Sequence, residues 1–158
     1  MTAAAAAPTL DAHRRLLWAI AYRMTGVAAD ADDVVQEAFE KALAHPPKGA
    51  VKPWLVTLTM NAARDLLRKR RRVAYVGPWL PSPVDDDALD LPDTAPGPEQ
   101  RYSMRESATF AFLLAVEQLT PLRRAVLILR DVFDYSGDET AHALGISVDA
   151  VKQNLSRA

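Results

Sequence analysis

The chain reads as an all-α protein: two small helical domains joined by an acidic, proline-rich linker, the second ending in a helix-turn-helix. Three observations predict this. Apolar residues recur at helical spacing in each periodic stretch, and no alternating strand pattern bounded by turn residues appears. Pro78, Pro81, Pro83, Pro92, Pro96 and Pro98 crowd one segment, which rules out a continuous helix and disfavours a strand there. The closing residues Ser136 to Ala158, SGDETAHALGISVDAVKQNLSRA, describe two short helices about a glycine corner.

Taken in order, residues 1–9 are expected to be a disordered tail, and a helical domain over 10–76 follows. Its first helix carries Leu10, His13, Leu16, Leu17, Ile20, Ala21 and Met24 at helical spacing and stops at Gly26. A second carries Ala31, Val34, Val35, Ala38, Phe39 and Ala42, with Asp30 as its expected cap, and ends at Pro46 and Pro47. The third is expected to begin at Pro53, because a first-turn proline loses no intrahelical bond. It runs through Leu55, Leu58, Ala62 and Leu66 into a basic cluster. Trp54, beside Leu55 and Leu58, reads as a core residue more readily than as a stacking wedge.

The linker spans 77–104 and the second domain 105–158. Phe110, Leu113, Leu114 and Leu119 form one stripe. Thr120 and Pro121 then open a helix bearing Leu122, Val126, Leu127, Leu129 and Val132. In the closing motif Ala141, Leu144, Ile146, Val148, Val151 and Leu155 face inward, Gly145 sits at the corner and Ser147 caps the second helix. Lys152, Gln153, Ser156 and Arg157 share its outer side. A second helix of this kind lies in a DNA major groove, where Gln pairs with adenine, Arg with guanine, and Lys and Ser meet phosphates. Asn154 lies toward the flank of that face.

The net charge of −1 argues against a nucleic-acid partner, but the distribution of charge points the other way. Arg64, Arg68, Lys69, Arg70, Arg71 and Arg72 are opposed locally only by Asp65, whereas Gly77 to Gln100 holds six carboxylates and no Lys or Arg. With no cysteine, disulfides and thiolate metal sites are excluded. The start, MTAAAAAP, lacks the regions of a signal peptide, and no apolar run suffices to span a bilayer, so a cytoplasmic location is expected. His13, His45 and His142 lie far apart, and no phosphate loop, HExxH or nucleophile elbow occurs. Neither an enzyme nor a cofactor or metal is expected, and His45 reads as a loop residue.

Four segments in order carry a family resemblance: DADDVVQEAFEKAL (30–43), PWLVTLTMNAARDLLRKRRR (53–72), LTPLRRAVLILRDVFDYS (119–136) and the closing helix-turn-helix. Together they resemble the sigma-70 family of RNA polymerase sigma factors, in its two-domain extracytoplasmic-function group. The resemblance implies a transcription initiation factor whose first domain binds core polymerase and the promoter −10 element and whose second binds the −35 element. Asp33, Gln36, Glu37 and Glu40 would meet the polymerase clamp helices, and the polymerase flap would be a further contact. Acidic and amide groups suit such a contact because they accept charge-assisted hydrogen bonds. Asn61, Arg64, Arg68, Lys69, Arg71 and Arg72 would approach the opened −10 strand, with loop 45–51 matching the family's base-capturing loop. Lys152, Gln153, Ser156 and Arg157 would read duplex −35 DNA, and Glu139 would orient an arginine of that helix. The linker would follow a polymerase channel that normally holds RNA.

The segment Tyr75-Val76-Gly77-Pro78-Trp79-Leu80-Pro81 is also similar to the linker opening of a subgroup with a C-terminal domain of the nuclear-transport-factor-2 fold, a domain expected to lie outside these 158 residues or to be absent. The alternatives are a truncated chain and one served by a separate anti-sigma protein. The competing functional class is a stand-alone dimeric helix-turn-helix regulator, which would bind palindromic DNA without polymerase.

Overall fold

The computed structural model describes residues 10–45, 47, 49–72 and 118–158, with 71 and 72 by backbone alone. The expected tail, linker and Phe110–Leu114 stripe lie outside the described residues, as does the 75–81 segment. Six helices are seen, and no strand occurs among the described residues.

Helix α1 is Arg14–Thr25. Gly26 ends it in the left-handed region (φ 71°), donating its N–H to the Tyr22 carbonyl at 2.7 Å. Helix α2 is Ala28–Ala44. Its N-cap is Val27, in extended conformation and without a side-chain bond, so Asp30 is not the cap. The carboxylate stands inside the first turn, where the helix dipole also favours negative charge, and it is spent on Arg70 instead. Helix α3, Val51–Arg72, starts two residues ahead of Pro53. The proline still falls in the first turn, where a missing N–H leaves no helical bond broken. Leu17, Ile20, Met24, Val34, Val35, Leu55, Val56 and Met60 from these three helices are fully buried.

Thr120 caps helix α4 (Pro121–Leu127), its hydroxyl accepting the Arg123 N–H at 3.3 Å. The helix then widens into a π-helical turn over Ile128–Val132, which the periodicity does not anticipate. Phe133 N–H reaches back five residues to the Ile128 carbonyl at 3.2 Å. Asp134 then takes a left-handed conformation (φ 54°), which aspartate tolerates better than most side chains.

Helices α5 (Gly137–Leu144) and α6 (Val148–Leu155) form the helix-turn-helix. Ser136 and Glu139 make a reciprocal capping box: Glu139 N–H donates to Ser136 Oγ at 3.2 Å, and Ser136 N–H donates to Glu139 Oε2 at 2.8 Å. Gly145 (φ 64°) is left-handed, and Ile146 N–H returns to the Ala141 carbonyl at 3.0 Å, a Schellman closure. Ser147 Oγ accepts the Ala150 N–H at 3.2 Å.

The two halves are in contact: α3 lies against α5, and α4 against α1 and α3. Arg124 of α4 is buried and donates to the Met24 carbonyl at the end of α1 (2.5 Å). Arg64 of α3 donates to the Leu144 carbonyl at the end of α5 (3.3 Å). Arg23, also buried, lies over the Phe133 ring at 5.2 Å.

The capping box is testable by titration. Its backbone hydrogen bond holds the Glu139 carboxyl below the ordinary glutamate range. The stability it contributes is therefore complete above that range and is lost as pH falls through the folded value. Glu139→Gln is expected to flatten this acid-side loss below the ordinary glutamate range, read as urea midpoints across pH. Ser136→Ala is expected to cost about 1 kcal/mol at neutral pH.

Candidate nucleic-acid interface

Helix α6 divides into two sides. Val151 is buried and Leu155 half-buried against the core, while Lys152, Gln153, Ser156 and Arg157 are all exposed. Caps at Ser147 and Gly145 fix the helix from its N-terminal end, so this outer face is carried on a rigid turn. Lys152 faces Asp149 at 3.8 Å with both side chains largely in water, a pair too solvated to restrain it. Asn154 is half-buried and donates its amide to the Ala150 carbonyl at 2.7 Å, which withdraws it from the outer face. The Glu139 carboxylate closes the capping box and so fixes the start of α5, while Arg157 stands beyond the end of α6.

The basic stretch of α3 is less uniform than its sequence. Asn61, Arg68, Lys69 and Arg70 are exposed. Arg68 pairs with Asp65 at 3.2 Å in water, and Arg70 pairs with Asp30 across to α2. Arg71 and Arg72 occupy the helix end, their side chains outside the described residues. Arg64 departs most from the expected open face: it is half-buried under the end of α5, and its Nε has no hydrogen-bond partner among the described residues. Burial first, then repulsion from Arg68, pushes its pKa down, with Asp65 opposing.

On α2, Asp33, Gln36, Glu37 and Glu40 are exposed, opposite buried Ala31, Val34, Val35 and Ala38. Gln36 donates to Glu40 at 3.0 Å, and Lys41 donates to Glu37. Such i,i+4 pairs are worth roughly 0.2–0.5 kcal/mol, so they hold the face in order without barring a partner. At one end of this face Trp18 donates its indole N–H to Asp32 at 2.9 Å and stacks on buried Tyr22 at 5.3 Å between ring centroids.

Between the halves lies a cleft of about 1160 Å³. His45, Pro47, Lys52 and Trp54 line it from the first half, and Phe133, Tyr135, Asp138 and His142 from the second. The loop after α2 therefore faces α5. Trp54 is half-buried against the core, as its neighbours Leu55 and Leu58 imply, and also borders this cleft.

Sequence reasoning missed the residues that join the halves: Arg23, Arg124 and Phe133. Their signal is faint, a basic residue set within each apolar stripe, as in the RR of LTPLRRAVL.

These features define a helical protein with a capped helix-turn-helix and a separate helix whose far end is basic. The sigma-70 region 2 profile matches residues 9–73, and the sigma-70 region 4 profile matches residues 109–158. SigL of Mycobacterium tuberculosis, an ECF RNA polymerase sigma factor, is 32% identical over 92% of this chain and 79% of its own length. SigJ of the same organism is 37% identical over 94% of this chain. The crystal structure of SigJ aligns with a TM-score of 0.67 at 30% identity, covering 96% of this chain and 50% of that one. A likeness in fold extends to the sigma factor RpoE of Bartonella quintana, solved with the anti-sigma factor NepR, with a TM-score of 0.65 at 23% identity over 95% of this chain and 89% of that one. The chain belongs to the sigma-70 family of RNA polymerase sigma factors, within the extracytoplasmic-function group. It spans about half the length of SigJ and SigG of M. tuberculosis, 47% and 45%. Among the described residues no helix is long and apolar enough to cross a membrane.

The Asp30–Arg70 pair gives a direct check on the seating of α3 against α2. Burial pushes the Asp30 carboxyl up, and Arg70 opposes the shift. Arg70→Ala is expected to raise that pKa further, followed by carboxyl NMR titration; an unmoved value would mean that the pair does not form in solution.

Proposed function

We propose that this chain is a cytoplasmic initiation factor that binds core RNA polymerase and brings it to promoters, helping to open the −10 strands. It is not an enzyme and needs no cofactor; RNA synthesis belongs to the polymerase. The observation that carries the reading is the exposed outer face of α6 on a doubly capped helix-turn-helix, in a chain that belongs to the sigma factors. Lys152, Gln153, Ser156 and Arg157 read duplex −35 DNA. Asn61, Arg64, Arg68, Lys69, Arg71 and Arg72 serve the single-stranded −10 element, supplying positive charge along the backbone and amide contact to a base or phosphate. Asp33, Gln36, Glu37 and Glu40 meet the clamp helices, and the second half meets the flap. A separate anti-sigma protein, or a regulatory domain beyond Ala158, supplies control.

Run-off transcription with purified core polymerase on supercoiled promoter libraries tests the whole reading. Discrete start sites that depend on the protein are expected. Tight binding to palindromic DNA together with no affinity for core would replace the reading with a stand-alone dimeric regulator. Glu37→Lys and Gln36→Ala are expected to weaken core binding without unfolding α2, measured by titration with labelled core alongside circular dichroism. Gln153→Ala is expected to change −35 preference, costing roughly 1–3 kcal/mol at one base position; a uniform loss across sequences would make it a backbone contact.

A further inference from the structure

Helix α1 reaches the exposed side of α2 at two points. Arg14 lies over the Phe39 ring at 5.0 Å, and one turn further along Trp18 donates its indole N–H to Asp32 Oδ1 at 2.9 Å. Trp18 is itself held. Its ring lies parallel to that of buried Tyr22, with 3° between the planes and 5.3 Å between centroids. A chain of restraint therefore runs from the core, through a half-buried indole, to an exposed carboxylate.

Asp32 shares one side of α2 with Gln36 and Glu40, because residues four apart lie above one another along a helix. Two carboxylates of this side are held by neutral donors: Asp32 by the indole and Glu40 by the Gln36 amide. Glu37 is held instead by Lys41, whose ammonium opposes its charge. A neutral donor fixes an orientation and leaves the charge whole, which is what a basic partner takes up in a charge-assisted bond. The indole occupies one oxygen only, and Asp32 Oδ2 has no partner among the described residues. Fixing the side chain beforehand also removes part of the ordering that a partner would otherwise impose. The packing of α1 on α2 does not need this bond, since Leu17, Ile20, Val34 and Val35 are buried in the core.

We propose that Asp32 is a further polymerase-contact residue of α2, taking a basic side chain of the clamp helices on its open oxygen, and that Trp18 is the positioning residue that aims it. The proposal rests on the polymerase-binding role proposed for α2. It gives α1 a part in that contact, through a side chain that need not touch the polymerase.

A double-mutant cycle on the full chain, titrated with labelled core polymerase, tests both halves of the proposal. Trp18→Phe keeps a ring to stack on Tyr22 and removes only the donor; Asp32→Ala removes the acceptor and its charge. Asp32→Ala is expected to weaken core binding about fivefold or more and to lessen its dependence on salt. Trp18→Phe is expected to weaken binding about threefold with the salt dependence kept, and to have no effect once Asp32 is alanine. Urea midpoints accompany each variant, and should Trp18→Phe shift its midpoint, Trp18→Tyr takes its place. An equal loss from the Trp18 variant in both backgrounds would overturn the positioning role, because the indole would then act without Asp32. Unchanged affinity in Asp32→Ala would overturn the contact. Glu37→Lys in the same titration separates this from the wider reading. If it weakens binding while Asp32→Ala does not, the face on α2 stands and the proposal fails; if neither weakens binding, both fall.

Discussion

Two helix C-termini hold this molecule together, because neither can satisfy its last carbonyls from within its own helix. The end of α1 receives Arg124 from the second half, and the end of α5 receives Arg64 from the first. Each half thus supplies the cation that the other lacks. A charge-assisted bond to a buried carbonyl contributes roughly 1.5–3 kcal/mol, and the long contact to Leu144 sits at the weak end. The apolar core continues across the junction, from Met24 and Met60 to Val126 and Leu129. Apolar contact sets how closely the halves approach, and the two arginines set where.

Rigidity is distributed differently from burial. The helix-turn-helix helices are only eight residues each, too short to persist alone in water. Their order comes from the ends: a capping box at Ser136, a Schellman closure at Gly145 and a serine cap at Ser147. Helix α3 is the opposite case. At 22 residues it needs no elaborate cap, and its far end is tied to α2 through Arg70 and Asp30. A short, capped helix pair and a long, charged rod are thereby built by two separate means.

Local chemistry was the legible part. Apolar spacing gave the helices and most of the core, and Thr120, Ser147, Gly26 and Gly145 marked ends that the structure keeps. The exposed sides of α2 and α6 followed from the same spacing. Asp30 misled because an acidic residue suits both a cap and a first turn, and only the pairing with Arg70 decides between them. Arg64 read as part of a charged face because nothing within its own helix shows that another helix end covers it; the contact spans eighty positions along the chain. Arg124 bonds across one hundred positions and was legible only as a basic residue in an apolar stripe.

The π-helical turn at Ile128–Val132 bears on how this fold tolerates change in length. A π turn holds one residue more than an α turn of the same sweep, so the extra residue is absorbed inside it and the chain leaves at Phe133 in much the direction that an uninterrupted α-helix would give. Deleting one residue there would let the ladder revert to α geometry with the helix-turn-helix still facing the same way, whereas deleting one from the regular turn before it would rotate everything downstream by about 100°. Tolerance to a change in length is thus a local property of the chain, present at the wide turn and absent one turn away.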